Sequence, residues 1–264
     1  MPLTRLRQTV RVTRVALHLI AGLSLSAAVF PVAGRAGRAA MFRWWSRRML
    51  HILRVRVRRH GDAAAAPHPA SVLVVSNHVS WLDIFVIRSA LECRFVAKSD
   101  IRQWPLVGWL VAKQGTVFVQ RARRHDTARV NDALDTALAG GDRMVLFAEG
   151  TTTDGTEVKP FHGSLLQPVV LAEGFVQPLA LRYPLADGTP NLRAAYAGEI
   201  SLWDSLLQLT AQREIAADLI FLPAVHAAGR HRRDLARHCA EQVADALSLP
   251  RPDRGPGTRF DPPA

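Results

Sequence analysis

Seven short apolar runs of strand length fall between residues 71 and 223: Ser71–Val75, Arg94–Ala97, Thr116–Val119, Met144–Ala148, Val176–Tyr183, Arg193–Ala197 and Asp218–Pro223. Stretches with helical length and pattern lie among them, at Trp81–Leu91, Pro105–Lys113, Thr127–Ala139, Ser164–Ala172 and Ser201–Gln212. A strand that hands over to a helix cannot return as a hairpin; it returns as a crossover. The alternation therefore predicts an α/β protein with a mainly parallel sheet flanked by helices. Arg54–Arg59, which starts by alternating Arg with Val, reads as an edge strand, Gly61–Pro69 as a loop and Arg230–Leu247 as a last surface helix. A chain of 264 residues has ample core for one such domain. The boundaries expected are 1–53 for an N-terminal helical segment, 54–249 for the α/β domain and 250–264 for a Pro-rich disordered tail.

The net charge of +12 suits either nucleic acid or an anionic membrane surface, and its location decides between them. Residues 1–60 hold 13 Arg, no Lys and no carboxylate, leaving 21 basic against 22 acidic residues in the rest of the chain. The excess charge thus sits beside the most apolar stretch, Val15–Gly34, 20 residues without a formal charge. As a helix that stretch is about 30 Å long, close to one bilayer core. The expected partner is membrane phospholipid, not nucleic acid. His18, Ser24, Ser26 and Pro31 weaken a simple span, so an uncleaved embedded or re-entrant helix is placed ahead of a single span and a cleaved leader. Met41–Leu53 puts Phe42, Trp45, Met49, Ile52 and Leu53 on one helical face with Arg43 and Arg47 on another. That pattern predicts an interfacial amphipathic helix, the alternative being a helix packed on the domain's own core. Cys93 and Cys239 make no disulfide framework, and a reducing compartment is expected.

The chemistry concentrates in Ser76-Asn77-His78-Val79-Ser80-Trp81-Leu82-Asp83, where the first strand meets a helix. His78 and Asp83 are five apart, about 140° round an ideal helix, so a shared helical face does not bring them together. A turn does. With Ser80 as cap and Asp83 in the first helical turn, the imidazole folds back on the carboxylate, which fixes its tautomer and leaves the other ring nitrogen for substrate. The same spacing also fits a capping box beside an ordinary loop histidine.

Three further segments follow in order: Gly115–Arg121, Val145–Thr151 with Glu149-Gly150-Thr151 at its end, and Val176–Ala180 around Pro178. Together with the octad they resemble the glycerolipid acyltransferases typified by 1-acylglycerol-3-phosphate acyltransferase, over roughly residues 54–225. That family carries Asn-His-x-x-x-x-Asp, a strand ending in Phe-x-x-Arg, then Phe-Pro-Glu-Gly-Thr-Arg, then a strand around Pro. The resemblance implies acyl transfer to a lysolipid hydroxyl from acyl-CoA or acyl carrier protein, with no cofactor. His78 is then the general base and Asp83 its orienter. Arg121 binds the acceptor's phosphate, Glu149, Gly150 and Thr151 shape the acceptor site, and Lys98 neutralises phosphate. It further implies a bacterial inner membrane location with the catalytic domain facing the cytoplasm.

Without the resemblance, Arg121 and Lys98 also read as surface charges, and Glu149 as a helix-capping carboxylate. There is no Gly-x-Ser-x-Gly elbow for a serine nucleophile, and no histidine spacing that implies a metal. Two residues depart from the family pattern: Ala148 stands where Pro precedes Glu, and Thr152 where Arg follows Gly-Thr. The missing Arg weakens the case for a phosphate acceptor. 1-Acylglycerol-3-phosphate, giving phosphatidic acid, is still placed first, lyso-ornithine lipid second, and a non-catalytic membrane-surface protein is the reading from another class.

Overall fold

The protein is described from a computed structural model that covers residues 2–61, 72–98, 108, 116–119, 132, 134–138 and 140–253, without the side chains of residues 2–4, Lys98 and Val119. Seven strands form one path in the order β1-β7-β6-β2-β5-β3-β4, and the short β8 (Val225–His226) pairs with β6. Their ranges are β1 Val55–His60, β2 Val72–Ser76, β3 Arg94–Lys98, β4 Val117–Val119, β5 Met144–Phe147, β6 Phe175–Arg182 and β7 Ile215–Phe221. β6, β2, β5, β3 and β4 run parallel; β7 lies antiparallel to β6, and β1 is parallel to β7 at the edge. The mainly parallel sheet and the edge position of β1 are as the sequence predicts.

β2 is buried along its whole length, which is why Val72-Leu73-Val74-Val75 shows no polar alternation. Val72 and Val74 join one core, Leu73 and Val75 the other, so each sheet face has its own cluster. The first cluster is covered by α1 (Pro2–Val29), α2 (Arg35–Leu53), α3 (Leu82–Ala90) and α5 (Leu202–Ala211). The second is covered by α4 (Gln167–Leu171) and α6 (Arg232–Leu247), with helical residues 134–138 between β4 and β5. The predicted helix Pro105–Lys113, apart from residue 108, and the tail beyond residue 253 lie outside the described residues.

Arg193–Ala197 is a correction to the sequence reading. It forms turns, not a strand: Ala194 N–H bonds Asn191 O at 2.8 Å and Tyr196 N–H bonds Val79 O at 2.8 Å. The run is apolar because the loop presses Ala194 and Ala195 into the first core. Asp218–Pro223 is shifted in turn, since β7 begins at Ile215, and alternate residues Ile215, Ala217, Leu219 and Phe221 fill that core.

The apolar face of α2 also departs from expectation. Phe42, Trp45, Met49, Ile52 and Leu53 are buried in the protein, against α3 and the sheet, so this face does not meet lipid. α1 instead carries exposed apolar residues. Arg11, Val15, His18, Gly22 and Ser26 face inward, while Leu6, Val10, Leu17 and Ile20 are exposed. Arg11 and His18 are engaged on the α5 and α2 sides. Arg11 donates to the carbonyls of Thr210, Gln212 and Arg213, supplying a cation at the C-terminal end of α5, where carbonyls lack helical partners. His18 Nε2 donates to Trp45 O at 3.0 Å, and Trp45 Nε1 donates to His18 O at 3.3 Å. Gly22 permits this approach, because a Cβ there would lie 2.5 Å from Trp45 Nε1. α1 thus buries Arg11 and His18 and shows Leu6, Val10, Leu17 and Ile20 beside Arg5 and Arg14, an outer face apolar enough for membrane association.

Removing residues 1–53 would therefore strip the core of Met49 and Leu53 and unfold the domain, each such side chain being worth about 2–5 kcal/mol on truncation. The lipid face is tested more cleanly by Leu17→Ser with Ile20→Ser. The double variant is expected to keep its circular dichroism spectrum and lose at least about tenfold in partition to anionic vesicles in about 1 M salt, because two exposed aliphatic side chains carry about 1.5–3 kcal/mol each when buried. Unchanged co-sedimentation would remove α1's outer face from the membrane contact.

Candidate active site

β2 ends at Ser76 and the chain turns through the octad into α3. Asn77 is buried and makes the turn possible: its amide donates to Leu181 O at 2.8 Å, and its Oδ1 accepts from Leu181 N–H at 2.9 Å. A side chain thus continues the β2–β6 ladder after the strand has left the sheet, satisfying backbone groups that the turn would orphan.

His78 Nδ1 meets Asp83 Oδ2 at 2.7 Å. The same oxygen accepts the backbone N–H of Val79 at 2.8 Å and of Ser80 at 3.0 Å. Asp83 is therefore acceptor throughout, which sets Nδ1 as the protonated ring nitrogen and leaves Nε2 as the base. Ser80 is not the helix cap. Trp81 holds that position without a side-chain bond, and Ser80 Oγ has no partner among the described residues. The capping-box reading is half realised, since the carboxylate reaches back to the loop while the serine makes no forward bond. The imidazole lies flat on Phe147, ring centroids 3.8 Å apart at 11°, and stays about one-fifth exposed while Asp83 is wholly buried. One ring edge is packed and charge-balanced; the other is open.

The loop after β5 grips the same histidine by its backbone. Glu149 Oε2 accepts His78 N–H at 2.8 Å, Glu149 Oε1 accepts Lys159 N–H at 2.9 Å, and Thr153 N–H donates to His78 O at 2.8 Å. Glu149, which the resemblance assigns to substrate, is buried, with Oε2 on the His78 backbone and Oε1 on Lys159 of its own loop. Burial pushes its carboxyl up to about 8, against the pull of the Lys159 and His78 N–H donors, and the Asp83 charge adds to the rise. Gly150 has φ +74°, a left-handed conformation that favours glycine. Thr151 is exposed beside it. Arg121 lies outside the described residues, as does the side chain of Lys98 at the end of β3. So His78, Asp83 and Glu149 converge at the carboxyl ends of β2 and β5, with Gly150 and Thr151 beside them.

Tyr183, at the end of β6, was missed. Its hydroxyl donates to Asp83 Oδ1 at 2.7 Å from a buried position. The sequence offers one signal for it, the last place in the apolar run Val176–Tyr183, a strand end like those of His78 and Glu149.

Residues 54–182 match the family described as Acyltransferase. A lyso-ornithine lipid O-acyltransferase from Pseudomonas aeruginosa is 34% identical over 251 residues, 93% of this chain and 95% of that protein. A 1-acyl-sn-glycerol-3-phosphate acyltransferase from Neisseria gonorrhoeae is 34% identical over 183 residues, 69% of this chain and 71% of that protein. The crystal structure of the 1-acyl-sn-glycerophosphate acyltransferase from Thermotoga maritima has a TM-score of 0.67 at 18% identity, over 93% of this chain and 96% of that one, which shows the same fold.

Glu149→Gln is the informative change in the bracing loop. An amide keeps one acceptor but turns an NH₂ toward the other backbone N–H, so transfer should fall about tenfold or more. The pH dependence has a definite sign. The folded carboxyl holds its proton more tightly than the unfolded one, about 8 against 4.5. The stability from that proton is full below about 4.5 and is lost as pH rises toward about 8. Gln does not titrate. The melting temperature of the wild type relative to Glu149→Gln should therefore drop between pH 5 and pH 8 in a fluorimetric scan; a difference flat with pH would contradict the raised value.

Proposed function

The chain belongs to the Acyltransferase family, and on that premise we propose that it is a membrane-bound enzyme moving a fatty acyl group from a thioester to a lysolipid hydroxyl. The observation that carries the chemistry is the His78–Asp83 pair with Nε2 left open. In the proposed step Nε2 takes the proton of the acceptor hydroxyl as its oxygen attacks the thioester carbonyl. Asp83 balances the imidazolium. Collapse of the tetrahedral intermediate breaks the C–S bond, and the imidazolium returns the proton to the departing thiolate. General-base help of this kind is worth about 10²–10⁴-fold. No nucleophile on the enzyme is required, and the thioester comes from acyl-CoA or acyl carrier protein.

For the acceptor we put lyso-ornithine lipid ahead of 1-acylglycerol-3-phosphate. Thr152 stands where the family pattern has an Arg for phosphate, and the P. aeruginosa relative named for the ornithine acceptor aligns with nearly the whole chain. The phosphate acceptor, with phosphatidic acid as product, keeps support from the Gly115–Arg121 motif and from the N. gonorrhoeae relative. A non-catalytic membrane protein fits less well, having no use for an oriented imidazole. The proposed location is the bacterial inner membrane. α1 lies in the leaflet, its exposed Arg5 and Arg14 meet anionic headgroups, and the catalytic domain faces the cytoplasm.

A panel assay with labelled acyl donor tests both levels. His78→Ala should lose about 10²–10⁴-fold with either acceptor while staying folded; near-normal turnover would sink the base assignment. The wild type should prefer lyso-ornithine lipid, and Thr152→Arg should lower that activity about tenfold by placing a cation near the ornithine ammonium. Preference for 1-acylglycerol-3-phosphate, with Thr152→Arg neutral or beneficial, would reverse the order of the acceptors.

A further inference from the structure

Asp83 distributes its hydrogen bonds unevenly. Oδ2 accepts three, from His78 Nδ1, Val79 N–H and Ser80 N–H. Oδ1 accepts the Tyr183 hydroxyl at 2.7 Å. The carboxylate has no exposed surface and Tyr183 is 3% exposed, so water does not substitute for that bond. The two residues lie 100 positions apart, one in the first turn of α3 and the other just past β6.

We infer that Tyr183 is a positioning residue for the dyad: its hydroxyl, not its ring, holds Asp83 charged and aimed at His78. The inference rests on the dyad reading above. A carboxylate with one oxygen triply bonded and the other bare in a buried site has two ways out. It can take up a proton, or it can rotate about its χ2 axis toward some other donor. Either outcome weakens the bond to Nδ1 and the charge that balances the imidazolium. The phenol closes both routes. It stays a donor, because burial and the neighbouring Asp83 charge hold its proton well above the usual phenol range. It is also held in register: β6 pairs with β2 through Ser76↔Leu179, and Asn77 bonds Leu181, so β6 and the catalytic loop move as one piece.

The test uses the full chain in anionic lipid or detergent. Tyr183→Phe keeps the ring and removes only the hydroxyl. Its kcat is expected to fall about tenfold or more, with KM for both substrates held within about twofold, because the loss lies in transition-state charge and not in binding. The proton resonance of the His78 Nδ1–H bond should shift. In an Asp83→Asn background the same change should have no further effect on the residual rate. Tyr183 and Tyr196 are the only tyrosines in the chain, so biosynthetic fluorotyrosine gives two fluorine signals, and the one lost in Tyr183→Phe should move in Asp83→Asn. That readout keeps the inference testable even if Tyr183→Phe itself folds poorly, since the two signals can also be assigned through Tyr196→Phe. Full kcat in Tyr183→Phe, a defect in KM alone, additivity with Asp83→Asn, or an unmoved fluorine signal would each overturn it. Full activity in Asp83→Asn alone would instead overturn the dyad.

Discussion

One buried carboxylate organises this site. Asp83 collects the imidazole, two backbone N–H groups of the preceding loop and a phenol from a distant strand. Burying an ionised carboxylate costs several kcal/mol unless its lone pairs are filled, and here four donors fill them. The loop between β2 and α3 takes its shape from that demand. The Val79 and Ser80 N–H groups point inward at Oδ2, and the His78 ring bonds the same oxygen through Nδ1 while its face lies on Phe147.

The loop after β5 answers the same problem from the opposite direction. A histidine on a loop is only as well placed as its backbone, and both backbone groups of His78 are taken, by Glu149 and by Thr153. Gly150 supplies the left-handed turn that lets Glu149 point down and Thr153 come back. His78 and its brace Glu149 thus come from the ends of adjacent parallel strands, β2 and β5, where an open α/β sheet exposes its loops together. The acyl transfer proposed here asks for little else from the protein: a poised base, a balancing charge and a place for two substrates.

The N-terminal helices join this site to an outer face apolar enough for membrane association. α2 is part of the core, and α1 is fastened to it and to α5 by polar groups that a free surface helix would turn outward. α5 in turn touches the site, since Ser205 Oγ accepts from Trp81 Nε1 at 3.1 Å within the catalytic segment. The apolar outer face of α1 and the open edge of His78 therefore belong to one packed body.

The sequence by itself determined the class of fold and the pairing of His78 with Asp83. Buried parallel strands read as unbroken apolar runs, and a His and an Asp five apart across a strand-to-helix turn have few ways to be useful except together. It also located the excess charge. Three things needed the tertiary structure. Apolar residues signal burial but not what buries them: Phe42, Trp45 and Met49 would suit lipid equally well, and Arg193–Ala197 is apolar because a loop packs on the core. Arg11 and His18 likewise meet their partners, the carbonyls of α5 and α2, only in the folded chain. Tyr183 and the bracing role of Glu149 depend on contacts 100 and 71 residues away in the chain, and local pattern carries no information about which strand end will lie next to which. Sheet order decides that, and sheet order comes from the packing of the whole domain.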